Sequence, residues 1–260
     1  KAHEAEYFAT PKRRSSPATY KTDFTNIYKK IPRNQPFTPE LLRQTLEAIP
    51  DNTATRRRAA NALQKLATFA GFDIDLWSLS GHYSSKRPTE RILPTDEAIA
   101  KFFPTIKNDY WRWVYGAIAV YGLRPHEAFF TRINPDGTAN VLKGKTGSRK
   151  IWPYLPEWFY EFQVATKRLP PIAIENRPYE LIGRNVCKYL RTHAQCPWKI
   201  YDLRHAWAVR TMDLGLKDTL AARQMGHSVK VHQEIYQQWI SEREHEAAFQ
   251  QILKNRSKGR

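Results

Sequence analysis

The chain has 260 residues, 41% of them hydrophobic and 13% aromatic, which excludes a disordered polypeptide and leaves enough apolar side chains for a sizeable core. Lys and Arg number 42 against 25 Asp and Glu, a formal net charge of +17. So large an imbalance repels itself in a compact state and points to a polyanionic partner; because the basic residues are spread along the chain, a nucleic-acid backbone fits better than a single basic tail would.

No apolar run approaches the roughly 20 residues that cross a bilayer, and no long basic amphipathic segment presents a lipid-facing stripe, so no membrane partner is expected. Residues 1–14 are polar and charged and show no signal-peptide pattern. Cys187 and Cys196 do not make a disulfide framework and fit a reducing compartment. With His193 they offer three metal-ligand types but no fourth at a recognised spacing, so packing thiols are the better reading.

Residues 1–21 read as irregular, with Pro11 and Pro17 among polar and basic neighbours. Helical spacing starts near Thr22 with Phe24, Ile27, Tyr28 and Ile31, and Pro32 and Pro36 break it. Thr38 reads as an N-cap with Pro39 at the first helical position, followed by the stripe Leu41, Leu42, Leu46 and Ile49. A third helix from about Thr53 buries Ala59, Leu63, Leu66 and Phe69 and stops at Gly71. Arg56, Arg57 and Arg58 crowd its first turn, where the helix dipole disfavours cations, which suggests an external anion such as phosphate beside a simple solvated face. Leu76, Trp77 and Leu79 close this bundle. The polar, basic residues 81–93, with Lys86 and Arg87, read as a linker.

The second part opens with Pro94, Thr95 and a helix from about Asp96, then an aromatic-rich helix over residues 110–121 that buries Trp111, Val114, Tyr115, Ile118 and Tyr121. Turn signals at residues 134–137 (Asn-Pro-Asp-Gly) and 145–148 (Lys-Thr-Gly-Ser), flanked by short β-capable runs, predict a three-stranded meander. From Trp158 to Lys254 the spacing is helical again, ending in an amphipathic segment over residues 242–254 with Ala247, Phe249, Ile252 and Leu253 on its apolar side. The predicted fold is mainly α with a small antiparallel sheet, divided into residues 1–21, 22–80, 81–93 and 94–260.

Four local patterns follow one another. Gly122-Leu123-Arg124-Pro125-His126-Glu127 succeeds the aromatic helix, and Lys145-Thr146-Gly147 sits at a predicted hairpin tip. Tyr201-Asp202-Leu203-Arg204-His205 opens a helix, and Gly226-His227-Ser228 precedes Tyr236, nine residues beyond His227. Each residue alone has an ordinary reading: Arg124 as a helix cap, Lys145 on a turn, Arg204 on a solvated face, His227 beside a C-cap, Tyr236 in an amphipathic core.

Taken in order, over about residues 94–260, the patterns resemble the tyrosine recombinase (phage integrase) family. In that family an Arg lies in a Gly-Leu-Arg-x-x-Glu segment and a Lys on a β-hairpin, followed by a His-x-x-Arg pair, a Gly-His and then a Tyr. The matching positions here are Arg124 with Glu127, Lys145, Arg204, His227 and Tyr236. The preceding helices look like that family's core DNA-binding domain, with Arg56, Arg57, Arg58, Lys86 and Arg87 as candidate DNA contacts. The resemblance implies a site-specific recombinase that integrates or excises DNA through a 3′-phosphotyrosyl link, and no metal, ATP or organic cofactor. It also implies double-stranded DNA as partner, four copies in a synaptic complex, a monomer or dimer off DNA, and a prokaryotic, cytoplasmic, nucleoid-associated setting.

The chemistry accounts for the residue types. A pentavalent phosphorane carries extra negative charge, which the planar guanidiniums of Arg124 and Arg204 match. Tyr236 supplies the nucleophile, Lys145 protonates the leaving 5′ oxygen, His227 bonds a non-bridging oxygen, and Glu127 orients its neighbours. Tyr201 stands where the family has His. It shares a helix face with Arg204, and its phenol can donate a hydrogen bond but is a poor base, titrating near ~10 against ~6.5 for imidazole. His205 lies roughly 100° round the helix from Arg204 and is not expected to substitute directly. Two rival readings share these residues: a type IB topoisomerase or telomere resolvase, and a non-catalytic DNA-binding relative. The Tyr201 departure predicts that Tyr201→His cleaves DNA faster than the native chain; equal or slower cleavage by the variant between roughly pH 6 and 9 would remove that explanation.

Overall fold

The computed structural model describes residues 2–10, 16–83, 92–143, 147–236 and 249. The chain divides into two compact units, Lys1–Arg87 and Pro88–Arg260.

The first unit is helical. Helix α1 (Ala2–Ala9) precedes α2 (Pro17–Tyr20), which passes through a π-type turn, Lys21–Thr25, into α3 (Asn26–Tyr28). The described part of residues 1–21 is therefore not irregular as expected. Tyr7 and Tyr20 are buried, with ring centroids 4.9 Å apart, and Tyr20 stacks on Phe24 at 4.9 Å. Two widely spaced tyrosines in a polar stretch leave no periodic signal, yet each brings a large apolar area to the core. Ser16 caps α2 with Pro17 at its first position, so a proline that reads as a breaker begins a helix instead.

Thr38 caps α4 (Pro39–Glu47), its hydroxyl accepting the Leu41 amide at 3.2 Å, and Leu41, Leu42 and Leu46 are buried as the spacing predicts. Thr53 caps α5 (Ala54–Phe69) in the same way. The buried face of α5 is Ala59, Ala60, Ala62, Leu63 and Ala67; Phe69 is 39% exposed rather than buried. At its end Phe72 N–H bonds Ala67 O and Gly71 N–H bonds Thr68 O, with Gly71 at φ +72°, a Schellman closure that only glycine adopts without strain.

The arginine triplet does not face outward together. Arg56 donates to the carbonyls of Ile49 (2.8 Å), Leu79 (2.9 Å) and Glu47 (3.2 Å), and so caps the C-terminal end of α4, where the dipole favours a cation. That corrects the expectation of three free arginines: Arg57 reaches Tyr83 O at 3.1 Å and Arg58 pairs with Asp23 at 3.4 Å, both on the exposed side. Lys86 and Arg87 lie outside the described residues.

The second unit is built around α7 (Asp109–Tyr121), which is buried on nearly every side. Ahead of it lies α6 (Asp96–Phe102), capped by Thr95. After α7, a 3-10 turn over Pro125–Phe130 leads into an antiparallel meander of β1 (Thr131–Ile133), β2 (Ala139–Val141) and β3 (Arg149–Ile151). Thr131 faces Val141, and Ala139 faces Ile151. Helices α8 (Pro156–Glu161), α9 (Tyr179–Thr192), α10 (Ile200–Asp213), α11 (Asp218–Met225) and α12 (Val229–Tyr236) follow. The helical spacing read from Trp158 onward is interrupted: residues 162–178 form no helix, because Pro170, Pro171 and Pro178 each remove a backbone donor. The segment expected to be helical over residues 242–254 lies outside the described residues, apart from Phe249, which is exposed.

Tertiary contacts invisible in sequence fix α7 and α10. Trp111 stacks on Tyr189 of α9 at 4.3 Å, and Tyr121 donates to Gly137 O at 2.7 Å, tying the core helix to the hairpin turn. Arg210 of α10 forks onto the Asp96 carboxylate (2.5–3.0 Å) and lies 4.4 Å over the Trp158 ring. Helix α7 ends at Gly122 in the left-handed conformation (φ +62°), and a Cβ there would come within 2.6 Å of the Trp207 ring of α10. Left-handed strain and overpacking together set the cost of Gly122→Ala at about 2–4 kcal/mol, readable as a lowered denaturant midpoint with unchanged slope; an unchanged midpoint would refute this close approach.

Candidate active site

Glu127 is fully buried and collects three arginines. Its local geometry follows from Arg124-Pro125-His126-Glu127: Pro125 starts the 3-10 turn and the Glu127 carboxylate reaches back to the Arg124 amide at 2.8 Å, a capping box. The same carboxylate accepts the Arg124 guanidinium at 2.9 Å and Arg149 at 2.6 and 3.0 Å, with Arg204 at 3.9 Å. Burial alone would raise this carboxyl; the hydrogen bond and charge of Arg149, with the charge of Arg204 and the Arg124 amide, overcome it and bring the pKa down to about 2.

On their other side the three arginines grip the C-terminal end of α11. Arg149 donates to Gln224 O (2.5 Å), Arg204 to Met225 O (2.5 Å) and Arg124 to Gly226 O (3.1 Å), three consecutive carbonyls at the negative end of a helix. Gly226 at φ +64° ends α11 there. Arg204 is 0% exposed, also bonds Gly122 O at 2.6 Å, and keeps its Nε buried without a hydrogen-bond partner. Among the described residues three cations face one carboxylate, which leaves a positive balance.

His227 joins through its ring. Arg204 Nη2 stands 3.0 Å from His227 Nε2, and because a guanidinium only donates, Nε2 accepts. The ring proton therefore sits on Nδ1, which is buried without a partner. Burial first, then the charges of Arg204 and Arg124, bring the His227 pKa down to about 3, so the ring is neutral near pH 7.

Tyr236, at the end of α12, is 1% exposed. Burial pushes its hydroxyl well above the usual phenol range, partly offset by Arg204 and Arg124. Its oxygen lies 3.1 Å from His205 Nδ1, and the His232 ring packs 4.7 Å away. Tyr201 is 38% exposed, its ring edge-on to His205 at 5.3 Å. The fold thus gathers Arg124, Glu127, Arg204, His227, His205, Tyr201 and Tyr236 into one region. Lys145 lies outside the described residues, on the connection between β2 and β3.

Sequence reading missed Arg149 and His232, and it placed His205 with Glu127 as a supporting residue that does not substitute directly for the family His. His205 reaches the Tyr236 hydroxyl because α12 approaches α10 from the side that carries Tyr201 and His205, four residues apart on one face, a spacing that offered the signal. Nothing local distinguishes Arg149 from its neighbour Lys150, whose side chain pairs with Asp136 at the surface. A cavity of about 610 Å³ opens beside the cluster, lined by Arg149, Lys150, Trp152, Arg223, His227 and Ser228, with no carboxylate among the described residues of its lining. Among the described residues no group of His, Cys, Asp or Glu comes together that could hold a metal ion, and no helix is long and apolar enough to cross a membrane.

The chain has the tyrosine recombinase (phage integrase) fold, in agreement with the resemblance its motifs carry. It aligns with a lambda integrase tetramer bound to a Holliday junction at a TM-score of 0.56 and 15% identity, over 87% of this chain and 76% of that one. Residues 1–80 match the family described as the XisA/XisC excisase second domain. Excisase A of Nostoc sp. is 32% identical over a 290-residue alignment that takes in 97% of this chain and 60% of the relative. Excisase C of the same organism is 28% identical over 98% of this chain and 57% of its own length, so the chain spans somewhat over half of the curated relatives it matches.

Within the cluster the acid pH dependence follows from the depressed pKa values of Glu127 and His227, with His126 and His232 lowered by burial beside them. Glu127 and His227 both bind fewer protons folded than unfolded at acid pH, so their stabilisation is present at neutral pH and is lost on acidification. The window runs from the ordinary 6.5 toward about 3 for His227 and from 4.5 toward about 2 for Glu127. Urea unfolding should show His227→Gln flattening the acid slope between pH 6.5 and 4.5, above the Glu127 window, while a slope below pH 4.5 persists; an unaltered slope above pH 4.5 would mean that His227 is not held neutral.

Proposed function

We propose that this chain cuts and rejoins DNA strands in site-specific recombination, with Tyr236 as the nucleophile. The observation that carries the reading is the convergence of Arg124, Arg204 and the donor-bearing Nδ1 of His227 in the region that holds a buried tyrosine. A phosphodiester bound there meets two planar cations and a neutral N–H donor, which together match the charge that builds on non-bridging oxygens.

In the proposed reaction the Tyr236 oxygen attacks phosphorus and the bond to the 5′ oxygen breaks. A 3′-phosphotyrosyl ester forms, and the leaving oxygen takes a proton from Lys145. Attack by a 5′-hydroxyl reverses these steps and reseals the strand, so the ester conserves the bond energy. Glu127 acts on the arginines rather than on the phosphate. The basic cavity beside the cluster supports a path for the DNA backbone, and Arg57 and Arg58 offer further phosphate contacts. The names of the curated relatives favour excision as the direction, and the lambda integrase tetramer on a Holliday junction supports assembly of four copies on two DNA sites.

One observation favours a binding-only relative instead: Tyr236 and Arg204 are 1% and 0% exposed, so neither is open to a DNA backbone without movement of the residues that cover it. Relaxation of supercoiled plasmid in EDTA without ATP separates the readings. The native chain should relax plasmid and form a covalent adduct on denaturing gels, while Tyr236→Phe should bind DNA and do neither. Relaxation by both proteins would remove Tyr236 from the mechanism, and binding without adducts by both would favour the non-catalytic reading.

A further inference from the structure

We propose that His205 is a catalytic residue of this site, accepting the proton of the Tyr236 hydroxyl as its oxygen attacks the phosphate; this rests on the assignment of Tyr236 as nucleophile. The argument is one of reach and of elimination. His205 Nδ1 lies 3.1 Å from the Tyr236 oxygen, and both residues are buried, at 7% and 1% exposure. A hydroxyl so enclosed resists ionising alone, because burial disfavours the phenolate more than Arg204 and Arg124 favour it.

The neighbouring groups are less suited. His227 turns its lone-pair nitrogen to Arg204 and carries its proton on the other, so it cannot accept a second one without breaking that contact. His232 faces Tyr236 ring to ring at 4.7 Å, and neither of its nitrogens makes a hydrogen bond. Tyr201 is a phenol, too weakly basic near pH 7, and its ring packs edge-on against His205, which makes it a positioning residue for the imidazole. Among the described residues, His205 in the tautomer that leaves its lone pair on Nδ1 is the group within hydrogen-bond distance of the hydroxyl that is suited to take a proton near neutral pH.

The balance closes without a further reactant. As the oxygen–phosphorus bond forms, the Tyr236 proton passes to His205 Nδ1 and the bond to the 5′ oxygen breaks, that oxygen leaving with the proton of Lys145. On rejoining, the tyrosine oxygen leaves phosphorus and takes the same proton back from the imidazolium.

Two measurements test this. Nitrogen-15 NMR of the unmutated chain reads the ring directly: His205 Nδ1 should lie in the unprotonated, hydrogen-bond-accepting range and shift in Tyr236→Phe. A proton resident on Nδ1 would overturn the proposal whether or not any DNA is cut. On supercoiled plasmid, His205→Asn keeps an acceptor near the hydroxyl but cannot take a proton, so adduct formation should fall about a hundredfold or more while plasmid binding is retained. Adducts at the native rate in His205→Asn, absent in Tyr236→Phe, would remove His205 and leave the nucleophile standing. Adducts that persist in Tyr236→Phe would remove the nucleophile itself.

Discussion

A single buried carboxylate organises the second unit's chemistry. Without Glu127, the guanidiniums of Arg124, Arg149 and Arg204 would repel one another in a region of low polarisability, where an uncompensated charge costs several kcal/mol. With it, each arginine has one hydrogen-bonding or ionic partner on the carboxylate side and one carbonyl on the α11 side. The cluster is nevertheless under-neutralised. That residual positive charge, rather than any individual arginine, is what suits the region to an anion.

The three-carbonyl grip connects this electrostatic arrangement to the fold. Helix α11 must end at Gly226 for carbonyls 224, 225 and 226 to be free of intrahelical partners, and a left-handed glycine accomplishes that. Helix α7 must end at Gly122 for its last carbonyl to meet Arg204 beneath the Trp207 ring. The two glycines thus aim backbone acceptors at the guanidiniums. Arg149 extends the arrangement to the sheet: its Nε bond to Gln224 O docks β3 against α11.

Much of the architecture was legible before any coordinates. The cap at Thr38, the helix starts near Thr53 and Asp96, the aromatic helix ahead of Gly122 and the three-stranded meander all arise from local rules of hydrogen bonding and turn geometry. The failures have a common origin. Tyr7 and Tyr20 become core residues through partners distant in sequence, Arg56 becomes an internal cap because α4 ends beside it, and the prolines at 170, 171 and 178 outweigh an apolar pattern that by itself suggested helix.

The sequence by itself determined the order and types of the chemical groups, because motif spacing is written along the chain and each local turn is set by its own residues. It also determined the charge balance, which no packing can alter. Only the tertiary structure decided which basic side chains turn inward, as Arg56 and Arg149 do, and which histidine meets Tyr236. Those outcomes depend on how α10, α11 and α12 approach one another, and helix approach is set by packing between distant segments, such as Trp207 on Gly122 and Arg210 on Asp96. His205 rather than Tyr201 touches the Tyr236 hydroxyl for that reason alone.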